Sequence, residues 1–234
     1  MRVRDFGHFD APLVIFGGVC GNLPALAALA EVVGDKTAIS TGGLVGPGSG
    51  ASATVRTMRD LGWPTVSSPA DRALLDAEGD GLHEDDRSWV SALPDLATFV
   101  QDSRRYAVLN TRLSVPEEPI WPSSSDADIT SEVASVEALV GPVDGVIVGG
   151  SGVAFHRRVG AHSWIDAGAI GSPPNDGRIE TRYGLLVDGE VVFHRLEYDH
   201  EAAVKTLGAS SDFALTLKSG VWPDQEALPP ELRR

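Results

Sequence analysis

Three glycine-rich segments each follow a short apolar run, and each offers backbone amides or a small nucleophile where a strand would end. Gly17-Gly18-Val19-Cys20-Gly21-Asn22 follows Leu13-Val14-Ile15-Phe16, Thr41-Gly42-Gly43-Leu44-Val45-Gly46 follows Ala38-Ile39-Ser40, and Val148-Gly149-Gly150-Ser151-Gly152 follows Gly145-Val146-Ile147. A hard-metal site at such corners needs Asp or His. Gly or Cys stands there instead. Successive N–H groups in loops of this kind can still cradle an anion.

Each motif that would carry chemistry lacks a component. Cys20 precedes a helix, where the dipole can stabilise a thiolate, but the arginine that a cysteine-dependent phosphatase needs six residues later is Leu26. A small buried thiol filling a gap is the better account. The first corner has Cys20 where a dinucleotide fingerprint needs its second glycine, and Ser49-Gly50 stands where a P-loop needs Lys-Ser/Thr. Around Ser151 the last glycine of a nucleophile elbow is Val153. Asp76 to Gly81 resembles the opening of a calcium loop whose bidentate glutamate is replaced by Arg87. The six histidines, His156 and His194 among them, follow no metal-ligand spacing. Asp166, Asp176 and Asp188 lie in turns, where Asp bonds locally.

Composition narrows the classes further. With 234 residues, 42% of them hydrophobic, the chain can bury a large core, and no Pro/Ser-rich linker divides it, so one domain over residues 1–234 is expected. A formal charge of -14 repels phosphate backbones and anionic bilayers. Nucleic acid and membrane are therefore not expected partners. One cysteine excludes an internal disulfide, and the absence of a long apolar run points to a cytoplasmic protein.

The elements that must position the corners alternate. Pro12 to Phe16 predicts a strand buried on both faces. Asn22 caps a helix carrying Leu26, Leu29 and Val33 at helical spacing, with Pro24 in its first turn. Thr37 to Thr41 predicts a second strand, Val55, Met58 and Leu61 a helix, and Pro64 to Ser67 a third strand. Helices are predicted at Asp71 to Glu78, Trp89 to Leu93 and Ile129 to Val140. Strands are predicted at 96–100, 106–109, 145–148, 155–159, 163–165 and 183–187, the last joined by an Asp188-Gly189 type I′ turn to 190–193. Each half of the chain is expected to supply one sheet of an α/β fold.

In this order the corners resemble those of the calcineurin-like metallophosphoesterase superfamily, in its small bacterial phosphodiesterase-type branch, over about Leu13 to Asp199. The family's Asp-x-His-Gly-Asn is here Gly18-Val19-Cys20-Gly21-Asn22, and its Gly-Asp-Leu-Val-Gly is Gly42-Gly43-Leu44-Val45-Gly46. Its Gly-Asn-His-Asp becomes Ser68-Pro69-Ala70-Asp71, its His-Gly corresponds best to Asn110-Thr111, and its Gly-His-Thr-His becomes Gly149-Gly150-Ser151-Gly152. Ile165 to Gly171 resembles the Asn-Pro-Gly-Ser-Val-Gly loop.

The resemblance implies an α/β/β/α sandwich of two facing mixed β-sheets flanked by helices. Active relatives hold two divalent metals such as Mn, Fe, Zn or Ni. Here the bridging Asp would be Gly43 and the protonating His Ala70, so neither a metal nor a catalytic residue is expected. The resemblance thus implies a catalytically inactive homologue, binding or regulatory, with a vacated pocket at Gly18, Cys20, Asn22, Gly43, Pro69, Ala70, Asn110, Gly150 and Gly152. Its occupant is an unidentified small ligand or protein partner, and a homo-oligomer stays open. The rival is an active phosphoesterase that recruits Asp71, Asp166 or Cys20.

Overall fold

The apolar runs fold into two sheets whose inner faces share one core. In the computed structural model, which describes residues 1–10, 12–47, 50–76, 82–207 and 211–234, strand β1 (Val3–Phe9) opens the chain and β2 (Leu13–Phe16) is buried at every residue. Helix α1 (Leu23–Val33) starts where Asn22 Oδ1 accepts the Ala25 N–H at 3.2 Å, and it buries Leu26, Leu29 and Val33. The predicted cap and spacing both hold. Strand β3 (Ala38–Ser40) and helix α2 (Ala51–Leu61) follow, with Gly62 in the left-handed region ending the helix.

Next come α3 (Pro69–Ala73), α4 (Glu84–Ala92), the hairpin β4 (Leu96–Gln101) and β5 (Arg104–Leu109), then α5 (Asp126–Val140) and β6 (Gly145–Val148). A second hairpin, β7 (Phe155–Val159) and β8 (His162–Asp166), and a third, β9 (Thr181–Val187) and β10 (Glu190–Leu196), precede α6 (His200–Leu207) and α7 (Asp212–Ser219). Asp188 and Gly189 both have positive φ, as their type I′ turn requires.

One sheet has strand order β1-β4-β5-β6-β8-β7 and the other β10-β9-β2-β3, each mixing parallel and antiparallel pairs. This corrects the expectation of one sheet per half. β9 pairs antiparallel with β2, whose Leu13 and Ile15 face the same core as Leu186. The N-terminal β1, unpredicted because Arg4, Asp5 and His8 make it read as polar, joins the opposite sheet beside β4. Pro64 to Ser67 reaches β3 through a single Ser40–Thr65 bridge rather than forming a strand. The helix predicted from Asp71 instead begins at Pro69, and its expected end at Glu78 lies outside the described residues.

Three apolar layers result. Leu13, Ile15, Phe99, Val108, Ile147 and Ile165 fill the space between the sheets. Phe16, Leu26, Leu29 and Met58 pack one sheet against α1 and α2. Leu109, Ile129, Val136 and Trp164 pack the other against α5. At about 1.5–3 kcal/mol per large side chain buried, these layers hold the strand ends in place. No helix among the described residues is long and apolar enough to cross a membrane.

Candidate functional site

The loops that leave β2, β3, β5, β6 and β8 meet and bond to one another through their backbones. Cys20 N–H donates to Gly43 O and Gly21 N–H to Leu44 O, both at 2.9 Å, joining the first corner to the second. Gly171 N–H donates to Gly18 O at 2.8 Å, and Gly149 N–H to Asn110 O at 3.0 Å. The Asn110 Nδ2 donates to Thr41 O at 2.9 Å. A Cβ on Gly17 would lie 2.1 Å from the Gly168 carbonyl oxygen, and one on Gly43, at φ +71°, would lie 3.1 Å from the Gly18 Cα. Backbone therefore occupies the space beside these glycines.

Asp71 organises the second corner. Its Oδ1 accepts the N–H groups of Leu44 (2.8 Å) and Val45 (3.1 Å), and its Oδ2 those of Gly43 (3.0 Å) and Ser68 (2.8 Å). Ser68 Oγ accepts the Asp71 N–H in return, which completes a capping box at α3. The carboxyl is buried, and burial pushes its pKa up while these hydrogen bonds pull it down. The amides expected to be available for an anion are already taken by a carboxyl group of the chain itself.

Asp166 ties the fourth corner (Gly149-Gly150-Ser151-Gly152, after those at Gly18, Gly43 and Ser68) to the loop after β8. It accepts the Ser151 N–H at 3.1 Å and the Gly168 N–H at 2.8 Å, and burial pushes its pKa up to about 6. Ser151 is buried, and its Oγ bonds both the carbonyl and the N–H of Val153 at 3.1 Å. That hydroxyl is engaged by its own loop and by Asp166. Cys20 adopts φ +54°, and burial together with the nearby Asp71 charge pushes its thiol up to about 12. At neutral pH it is a protonated thiol, not a nucleophile.

The structure brings the predicted pocket residues to one end of the sandwich, at unequal depths. Gly18 and Asn22 are buried, Cys20, Gly43, Asn110 and Gly152 are half-buried, and Pro69, Ala70 and Gly150 are exposed. Asn22 is engaged on both sides, since its Nδ2 donates to Gly171 O at 3.0 Å while its oxygen caps α1. His156 bonds Ser163 Oγ at 3.2 Å and His194 stacks on Tyr183, as structural histidines do.

Two features escaped sequence reasoning. The Asp71 bonds had a signal, because Ser68-Pro69-Ala70-Asp71 is a capping-box pattern whose acid turns back toward its own N-cap. The cover over the fourth corner had none. A Cβ on Gly152 would lie 3.3 Å from the Trp222 ring, and Trp222 is anchored by Nε1 donating to Pro173 O at 2.7 Å and by its N–H donating to Asn175 Oδ1 at 2.8 Å.

The side chains at the corners do not fit a dinuclear metal centre. Such a centre requires several convergent carboxylate and imidazole donors, and among the described residues no group of three or more His, Cys, Asp or Glu side chains is placed to hold a metal. Asp71 and Asp166 spend their oxygens on backbone amides. The calcium-loop and P-loop readings rest partly on residues 77–81 and 48–49, outside the described residues.

Similar solved structures place this arrangement among known folds. A metallophosphoesterase from Sphaerobacter thermophilus superposes with TM-score 0.70 at 21% identity, over 90% of this chain and 99% of that one. Hypothetical protein PH1004 from Pyrococcus horikoshii OT3 gives 0.71 at 14% identity, over 90% and 99%. The phosphoesterase Yfce from E. coli gives 0.50 at 14%, over 80% and 100%. The chain therefore has the calcineurin-like metallophosphoesterase fold, with two mixed sheets flanked by helices. No protein-family model and no curated protein sequence matches it.

Proposed function

We propose that this chain is a non-catalytic protein on the metallophosphoesterase fold, acting by binding or regulation rather than by phosphoester hydrolysis. One observation carries the reading. At the second corner, where the resemblance implies a bridging aspartate, Gly43 packs its α-carbon face against the Gly18 backbone, and the carboxylate beside it, Asp71, is consumed by four backbone N–H groups. Without metals to polarise the phosphoryl group and activate water, a reaction among the slowest uncatalysed ones known has no driving chemistry at these corners. The geometry also weighs against the three recruits of the catalytic alternative. Cys20 is held protonated, and Asp71 and Asp166 already accept internal donors.

The binding face in this proposal is the outer rim of the corners, where Pro69, Ala70 and Gly150 are exposed beside Cys20, Gly43, Asn110 and Gly152. Gly18 and Asn22 support it from below. The test is elemental analysis of protein incubated with Mn, Fe, Zn or Ni and then dialysed, paired with turnover of phosphomonoester and phosphodiester substrates. The expected result is substoichiometric metal and no turnover above the buffer rate. Stoichiometric metal with turnover that a chelator abolishes would overturn the proposal.

A further inference from the structure

The four sheet edges are protected unequally. An edge strand presents unpaired N–H and C=O groups to any second strand, and proteins blunt it with bulges, charges, short length or cover. β1 is broken between Asp5 and His8, where its pairing shifts register around Gly7. β3 is only three residues long, and its free side is covered where Ser40 N–H donates to Pro64 O at 2.9 Å and Val66 N–H donates to Ser40 O at 3.2 Å. β7 is short and carries Arg157 and Arg158, the former bonded to Pro122 O and Ser124 O and paired with Asp126.

Among the described residues, β10 has none of these devices along its middle. It pairs with β9 without interruption from Glu190 to Leu196, contains neither Pro nor Lys, and leaves Val192 57% exposed. Its charged contacts sit toward the ends, Glu190 to Arg158 at 3.1 Å and Arg195 to Asp176 and Glu180 at 3.7 and 3.8 Å.

We infer that β10 is the pairing edge for a second copy of this chain, joined antiparallel about a two-fold axis through Val192. The register follows from the fold. Val187 and Glu190 flank a two-residue turn, so in the alternating antiparallel pattern Glu190, Val192 and His194 direct their backbone groups to β9 and the odd-numbered residues direct theirs outward. A two-fold axis normal to the sheet keeps each face on its own side, so a residue on the axis meets itself. With Val192 there, Val191 and Phe193 exchange main-chain hydrogen bonds with Phe193 and Val191 of the second copy. Val192 then meets Val192 in a closely spaced pair, and each Glu190 lies opposite His194 of the other chain. Each glutamate is thus set against an imidazole rather than a second carboxylate, and the exposed valine is covered.

Sedimentation velocity and light scattering over micromolar to sub-millimolar protein test this directly. The expected result is reversible doubling of mass. Val192→Lys, which brings two ammonium groups together on the axis, and His194→Glu, which sets a second carboxylate against Glu190 on both sides of the axis, are each expected to leave monomer, with native circular dichroism confirming the fold. Combining His194→Glu with Glu190→Arg sets opposite signs across the axis and is expected to restore the dimer. Wild-type protein that stays monomeric throughout, or a dimer that survives both single substitutions, overturns the inference. Should Val192→Lys fail to fold, His194→Glu and its charge-restoring partner still decide the matter.

Discussion

The second and fourth corners are built on the same plan, a glycine-rich turn stapled by one buried carboxylate, and they differ in how many backbone amides that carboxylate gathers. Asp71 receives four backbone N–H groups, whereas Asp166 receives two. Burial raises the pKa of both against the pull of these donors, at Asp166 to about 6. The difference lies in how many buried N–H groups depend on the carboxylate for a partner.

Asp71→Ala tests the heavier staple. It strands four N–H groups around a buried cavity, and a stability loss of at least about 3 kcal/mol is expected in urea denaturation. A loss below about 1 kcal/mol would erase the contrast between the corners. Gly17→Ala tests the packing that both corners share, because its Cβ would sit 2.1 Å from the Gly168 carbonyl oxygen. About 2–3 kcal/mol is expected from such overpacking, again read by denaturation.

The lighter staple is tested by pH. Between the unfolded value near 3.8 and the folded value of about 6, the folded state binds more protons at Asp166 than the unfolded state does. Its contribution therefore favours folding at the acid end and is lost as pH rises through about 6, with a limiting slope of about 1.4 kcal/mol per unit. Asp166→Asn is expected to flatten that part of the stability profile, and an unchanged slope would place the titration elsewhere. The smallest effect is expected at Cys20, which joins the first corner to the second. Cys20→Ala should change stability by less than about 1 kcal/mol. With its thiol pushed up to about 12, native Cys20 should alkylate at neutral pH at least about 100-fold more slowly than in urea-unfolded protein. Labelling at equal rates would contradict the protonated thiol.

Much of the frame was legible because it rests on local rules. Asn22 and Pro24 announced the start of α1, Leu26, Leu29 and Val33 its buried face, and Asp188-Gly189 the turn of the last hairpin. The glycine corners were legible as strand ends, and their order pointed to the fold that the solved structures share. The polar β1 was not, because a strand that pairs at an edge needs no apolar alternation.

The sequence by itself determined which atoms are missing from the corners, since a glycine has no side chain to donate wherever it lies. Only the tertiary structure decided what fills their place. Asp71 is 28 residues from Gly43, and Trp222 is farther still from Gly152 along the chain; they meet these glycines because the sheets and the C-terminal segment fold over the same strand ends. Contacts across such separations depend on which faces the cores bury, and no local spacing rule encodes them.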